Sequence, residues 1–252
     1  MVLQGDGRSA AGHGILVEFF GIPGTGKTTL ARAVVEELRT RGVRVAEANL
    51  PIMVEHSGIS AMRRAALAGG FALREPTLAM RSLSEVMASR QRRLNDLRAV
   101  ALNWLSKCEL MRRAVQGPGI QVSDEGLLHA VWSIAYSARD ATVLGGSVVE
   151  AIRYLLPAVW LVVMVDAADE ESAERLRRRP GRLNRLARDS MRDGRAPVRR
   201  ARSGIAQTRR ILGDVVRAAP SADIRVMSVR NDVEADLAAN TRLVCERVRE
   251  AV

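Results

Sequence analysis

Apolar positions recur along the chain with two alternating periods. Ile15 to Phe20 is a continuous run of strand formers. Leu30, Val34, Val35 and Leu38 then recur at helical spacing, and Gly42 marks the helix end. Val43 to Ala46 reads as a short second strand, and Pro51 breaks the segment after it, so residues 50–58 read as a loop. From Ser60 to Gln116 no strand is visible. Leu94, Leu97, Ala101, Trp104, Cys108, Met111 and Val115 fall three and four apart, which predicts one long amphipathic helix closed by Gly117-Pro118-Gly119. Residues 119–123 form a third strand with a helix from Leu127, and Leu144 to Leu156 predicts another helix that Pro157 ends. Val159 to Val165 is apolar throughout and reads as a buried parallel strand. A helix opened by Asp169, Glu170 and Glu171 follows it over residues 168–178. Helix resumes from Gln207 to Ala218, Ile224 to Val229 is the last strand, and residues 232–252 form the closing helix. Strands alternating with helices predict an α/β chain: a parallel sheet with helices on both faces.

The first strand runs into Gly21-Ile22-Pro23-Gly24-Thr25-Gly26-Lys27-Thr28-Thr29, which matches G-x-x-x-x-G-K-[ST] with a strand before it and a helix after it. Glycines let the backbone curl so that successive N–H groups cradle phosphate oxygens, and the helix behind presents the positive end of its dipole. The loop from Gly21 through Pro23, Gly24, Thr25, Gly26, Lys27, Thr28 and Thr29 is the candidate nucleoside triphosphate site. Lys27 reaches the β- and γ-phosphates, and the Thr28 hydroxyl is a ligand for Mg²⁺.

Three further groups bear on the chemistry. Asp124 and Glu125 stand at the carboxyl end of the third strand, where one acid can serve Mg²⁺ and the other can accept a proton from an attacking oxygen. Asp124 is read mainly as base or metal ligand, with Glu125 as its alternate. Glu47 ends the second strand on the edge where open α/β sheets bind ligands, which makes it a candidate acceptor-side residue. Arginines crowd residues 175–202, a segment interrupted by Pro180-Gly181, Gly194 and Pro197, and the stretch reads as a lid insertion. Phosphoryl transfer needs cations around the transferred group and exclusion of water, so Arg178 and Arg182 are the favoured lid members.

Composition narrows the classes. The 252 residues carry a formal net charge of +11, nearly all of it arginine, since lysine is scarce outside Lys27 and Lys107. Guanidinium groups suit an anionic ligand or a nucleic acid, while 3% aromatic residues argue against base-stacking platforms. Cys108 and Cys245 show no metal or disulfide spacing and read as reduced residues of a cytoplasmic protein. No apolar run approaches the roughly 18 residues of a membrane span, so no membrane partner is expected. Residues 1–14 read as a flexible tail before a single domain over 15–252. The stripe over residues 94–115 is a core face or a homodimer seam.

The segment from Val17 to Thr29 resembles the opening of the P-loop nucleoside and nucleotide kinases, thymidylate kinase included. Val122-Ser123-Asp124-Glu125-Gly126 is similar to their third-strand acid motif, and Leu161 to Asp166 with Glu174 to Arg179 to their fourth strand and lid helix. Asn231, in Val229-Arg230-Asn231-Asp232, falls where such kinases turn around the adenine. The resemblance implies a three-layer α/β/α fold with a five-stranded parallel sheet in the order 2-3-1-4-5. It also implies an ATP- and Mg²⁺-dependent phosphotransferase whose helical region, residues 51–117, holds a small-molecule acceptor. One departure stands out: those kinases commonly carry Arg after the third-strand acid, whereas Gly126 follows the acid pair here. Two rival readings are an ATP-binding regulator and a nucleic-acid-directed kinase. A GTPase switch is disfavoured because no N-K-x-D tetrapeptide occurs.

Overall fold

A computed structural model describes residues 14–47, 57–178, 186, 189 and 196–251. The strands are β1 (Ile15–Phe20), β2 (Val45–Glu47), β3 (Ile120–Ser123), β4 (Val159–Asp166) and β5 (Asp223–Arg230). The helices are α1 (Lys27–Thr40), α2 (Ser57–Arg74), α3 (Pro76–Ala88), α4 (Leu94–Gln116), α5 (Leu127–Ser137), α6 (Gly146–Tyr154), α7 (Asp169–Arg178), α8 (Ala196–Ala218) and α9 (Glu234–Arg249). The five strands form one sheet in the order β2-β3-β1-β4-β5, parallel at every pairing. This is the all-parallel strand order that the kinase resemblance implied. No helix among the described residues is long and apolar enough to cross a membrane.

The period of two along β1 divides the core. Ile15, Val17 and Phe19 point to one face, where Leu30, Val34 and Leu38 of α1 and Val244, Cys245 and Val248 of α9 cover them. Leu16 and Phe20 point to the other, which is covered by α4, α5, α6 and α8 through Trp104, Leu128, Ile152 and Ile211. Glu18 lies between Leu16 and Phe20 in that alternation, so it belongs to this second face and is fully buried.

The helical region sits over the second face. The α4 stripe of Val100, Trp104, Cys108 and Met111 is buried in the chain's own core, and the Trp104 indole donates to Ser82 Oγ at 3.0 Å. Leu94, at the stripe's start, is 77% exposed. The helix before β5 begins at Ala196, well ahead of the expected Gln207. Pro197 occupies its first turn, where the missing N–H costs nothing, so this proline starts the helix instead of interrupting the segment. The stretch from 196 to 202 is therefore part of a helix packed on α5, with Ala201 buried and its carbonyl accepting from Trp132 Nε1 at 3.1 Å.

Candidate active site

The loop from Gly21 to Gly26 lies at the carboxyl edge of β1 and opens directly into α1. Gly24 and Gly26 have φ of 96° and 81°, a region that L side chains rarely adopt, so the curl depends on glycine at both positions. Gly26 is the N-cap of α1, with no side-chain cap and no acid in the first turn. The positive end of that helix is thus left for an outside anion.

The loop is braced from behind. Asn231 Nδ2 donates to the Thr25 carbonyl at 2.9 Å, and Asn231 N donates to the Asp166 carbonyl at 2.9 Å. Arg175 of α7 donates to the carbonyls of Asn231 at 2.7 Å and Asp232 at 2.8 Å. A Cβ on Gly24 would lie 2.4 Å from the Ser172 carbonyl oxygen, so α7 packs directly on the loop. Asn231, expected at the adenine, has its side chain buried and committed to the phosphate loop.

A cavity of about 560 Å³ opens on the loop. Gly24, Gly26, Lys27, Thr28, Thr29 and Arg32 line one wall; Glu125, His129, Trp132, Ser133 and Tyr136 line the facing wall; Arg175, Leu176, Arg178 and Leu186 complete it. Lys27 is 7% exposed. Of the acid pair, Glu125 lines this cavity, while Asp124 stands half-buried beside it. Arg178 borders the cavity from the end of α7 and pairs with Glu174 at 2.8 Å. Glu47 is absent from the lining; it sits on edge strand β2, with Arg39 at 3.5 Å. Arg182 and the Pro180-Gly181 turn lie outside the described residues.

Behind Glu125 is a buried polar cluster that the hydrophobic pattern does not announce. Glu18 Oε1 accepts from Leu128 N at 2.7 Å and so caps α5. Burial pushes the Glu18 carboxyl up to about 7, opposed by the amides of Leu128 and His129, by Lys107 and by the Trp160 indole. Glu18 Oε2 and Trp160 Nε1 are both buried and fall short of hydrogen-bond geometry with any partner among the described residues. Burial holds His129 down at about 4, so the ring is neutral at pH 7; its Nδ1 has no partner among the described residues. Lys107 reaches the same place from α4, with its pKa lowered by burial against the opposing pull of Glu125, Asp124 and Glu18.

This cluster accounts for Gly126. A Cβ there would lie 2.4 Å from Glu18 Cδ, 2.5 Å from its Oε1 and 2.7 Å from Met111 Cε. Where the resembling kinases have Arg, this chain has a buried carboxylate and room for no side chain. The signals in the sequence were an acid inside an otherwise apolar strand and a lysine in an arginine-using chain.

Tyr136 and Trp132 stack with ring centroids 5.3 Å apart, and the Trp132 and His129 centroids are also 5.3 Å apart. The Tyr136 hydroxyl donates to Asp189 at 2.8 Å, and Arg200 lies over its ring. The donor set suits a magnesium nucleotide. Mg²⁺ takes few protein ligands and completes its shell with phosphate and water oxygens. Thr28 and Glu125 share one cavity, and no cluster of three or more His, Cys, Asp or Glu able to hold a metal alone occurs among the described residues.

Comparison with known proteins gives two findings. The family described as "ATPase family associated with various cellular activities (AAA)" matches residues 17–97, about a third of the chain. That match spans the phosphate loop and stops short of Asp124 and Glu125. Among solved structures, thymidylate kinase from Ehrlichia chaffeensis superposes with a TM-score of 0.47 at 12% identity, covering 93% of this chain and 98% of that one. No curated protein matches the chain.

Proposed function

We propose that the chain is an ATP- and Mg²⁺-dependent phosphotransferase. It moves the γ-phosphate of ATP to a hydroxyl or phosphate of a nucleoside, a nucleotide or a similar small polar metabolite. The observation that carries this reading is the cavity in which Lys27 and Thr28, at the uncapped start of α1, face the Glu125 carboxyl. A site that only bound a triphosphate would need the first wall and not the second.

The loop amides and Lys27 hold the β- and γ-phosphates, and their donors are in place before the reaction begins. Thr28, with Glu125 or Asp124, would hold Mg²⁺, which when bound would offset the negative charge of the phosphates. The acceptor oxygen attacks the γ-phosphorus as the bond to the β–γ bridging oxygen breaks. The acceptor proton passes to a carboxylate of the acid pair, and ADP leaves. Arg178 contributes positive charge from α7 once it exchanges Glu174 for phosphate.

Purified protein with ATP, Mg²⁺ and a panel of nucleosides, nucleotides and sugars tests the assignment. One acceptor class should stimulate ADP release, and Lys27→Ala and Glu125→Gln should each lower that release at least about a hundredfold. Turnover at the wild-type rate in either variant would defeat it. The AAA match supports a second reading, an ATPase that regulates a protein contact. In that case ATP binds and is slowly hydrolysed, and no small molecule in the panel accelerates ADP release.

A further inference from the structure

The chain has 39 Lys and Arg residues, and only Lys27 and Lys107 are lysines. Arginine serves the exposed helix faces and the surface ion pairs alike. Lys27 is the phosphate-loop lysine. Lys107 stands in the middle of α4, a helix outside that loop, and is 8% exposed.

Its surroundings are acidic. Glu125, Asp124 and Glu18 act on it most strongly among the acids of the described residues, and Arg64 acts against them. The helix face is fixed independently: Met111, one turn further along α4, touches the space a Gly126 side chain would fill. That face therefore lies against the turn immediately after the acid pair. Glu18 comes to the same place from β1, in register with Ser123 of β3. Glu18 on β1 and the acid pair just past the end of β3 are thus neighbours under α4. The two half-buried carboxylates of the acid pair repel when both are ionised, and ionising the buried Glu18 beside them is strongly destabilising unless it is paired. An ammonium is a compact point charge with three donors, whereas a guanidinium is a wide planar fork. The neighbouring space between Met111, Gly126 and Glu18 is already closed to a single methyl group, and a compact ammonium suits such close packing better than a wide fork.

We propose that Lys107 is a positioning residue. Its ammonium is the shared counter-charge of Asp124, Glu125 and, when ionised, Glu18, and it fixes the acid pair beside the cavity. This role rests on the phosphotransfer reading for its use, because only a site that brings polyphosphate toward the acids needs them held against repulsion. Lys27 answers the phosphates, and Lys107 answers the carboxylates facing them.

A thermodynamic cycle tests the pairing without any need for turnover. Lys107→Met should lower the midpoint of thermal unfolding by roughly 5–15 °C in the otherwise unchanged chain. In a chain that also carries Glu18→Gln, Asp124→Asn and Glu125→Gln, the same substitution should lower it by no more than about 2 °C. An equal loss in both backgrounds means that Lys107 only fills space, and overturns the proposal. If Lys107→Met alone yields no folded protein, soluble protein in the neutralised background supports the pairing, and failure in both overturns it. The second readout is functional. Lys107→Met should hold a fluorescent ATP analogue within about threefold of wild type while acceptor-dependent ADP release falls at least about a hundredfold. Lys107→Arg should restore part of the melting midpoint and little of the turnover. Unchanged turnover in Lys107→Met overturns the positioning role. A wild-type chain that never transfers phosphate, yet shows the coupling, overturns the phosphotransfer reading and leaves the pairing intact.

Discussion

At the scale of single residues, the contact between Glu18 and Gly126 decides what the acid motif can be. Gly126→Ala places a methyl group 2.4 Å from Glu18 Cδ and 2.7 Å from Met111 Cε. Overpacking of this kind costs about 1–3 kcal/mol, so a lower urea midpoint is expected, with the loss reduced when Glu18 is also shortened to Ser. Equal stability of Gly126→Ala and wild type would show that the turn yields freely. Glu18 and His129 also act against one another with pH. The folded chain keeps the Glu18 proton up to about 7, against 4.5 ordinarily, so from about pH 4.5 to 7 it binds more protons there than the unfolded chain and loses stability as pH rises. At His129 the folded value is about 4 against 6.5, so the unfolded chain binds more protons and stability rises with pH across that interval. Each effect is on the order of 3 kcal/mol across its full window, and between about pH 5 and 6.5 they oppose. The wild-type chain should have nearly the same urea midpoint at both ends of that interval. Glu18→Gln should become more stable as pH rises through it, and His129→Asn less stable. Two variants with the wild-type profile would show that neither group titrates with folding.

At the scale of elements, the phosphate loop is a surface held between its neighbours. The β5–α9 connection supports it through Asn231, and α7 supports that connection through Arg175. Asn231→Ala leaves the Thr25 carbonyl without its donor, a loss of about 1–3 kcal/mol when such a group is buried. Because the loss falls on the loop, affinity for a fluorescent ATP analogue should drop roughly tenfold, with Arg175→Ala following in the same direction. Arg178, three residues on, braces nothing in the loop, so Arg178→Ala should keep the affinity and lower turnover. Wild-type affinity in Asn231→Ala would mean that the loop holds its shape alone. The elements themselves were legible because their signals are local: a glycine-bounded loop, an apolar strand, a 3.6-residue stripe. The bracing was not legible, because Thr25 and Asn231 are 206 residues apart and nothing in either segment reports the other. The same limit hid the surroundings of Lys107, whose acids come from β1 and from the turn after β3. It also left the Glu125 side facing the cavity undecided, since adjacent positions at a strand end are not distinguished by period. Pro197 misled for a different reason: proline reads as a break wherever it stands, and only the helix around it shows that it is a start.

At the scale of the whole molecule, the net charge of +11 is the feature that most invites a nucleic-acid reading. Several of the arginines behind it stand in local pairs with acids. Arg41 bonds Glu37, Arg178 bonds Glu174, Arg217 bonds Asp214, Arg225 bonds Asp223 and Arg247 bonds Glu250, all between near neighbours on the surface. Arg112 and Arg113 close over Glu109, whose carboxyl they hold down at about 2. Such pairs add little stability when exposed, yet each leaves a guanidinium already facing a carboxylate. A phosphate backbone would have to displace those partners one at a time. A protein that neutralises 6–10 phosphates with free cations loses about 10³–10⁵ in affinity between 50 and 200 mM salt. The present arrangement should instead give weak oligonucleotide binding with a shallow salt dependence, equivalent to about one or two phosphates. The cationic charge that counts would then be the part lining the cavity: Lys27, Arg32, Arg175 and Arg178. Anisotropy titrations of a labelled single strand and a labelled duplex across that salt range would measure the slope directly. A steep slope, abolished by excess ATP, would move the acceptor from a small metabolite to the end of a nucleic acid in the same cavity. A steep slope indifferent to ATP would place the nucleic acid elsewhere on the surface and leave the small-molecule reading of the cavity unchanged.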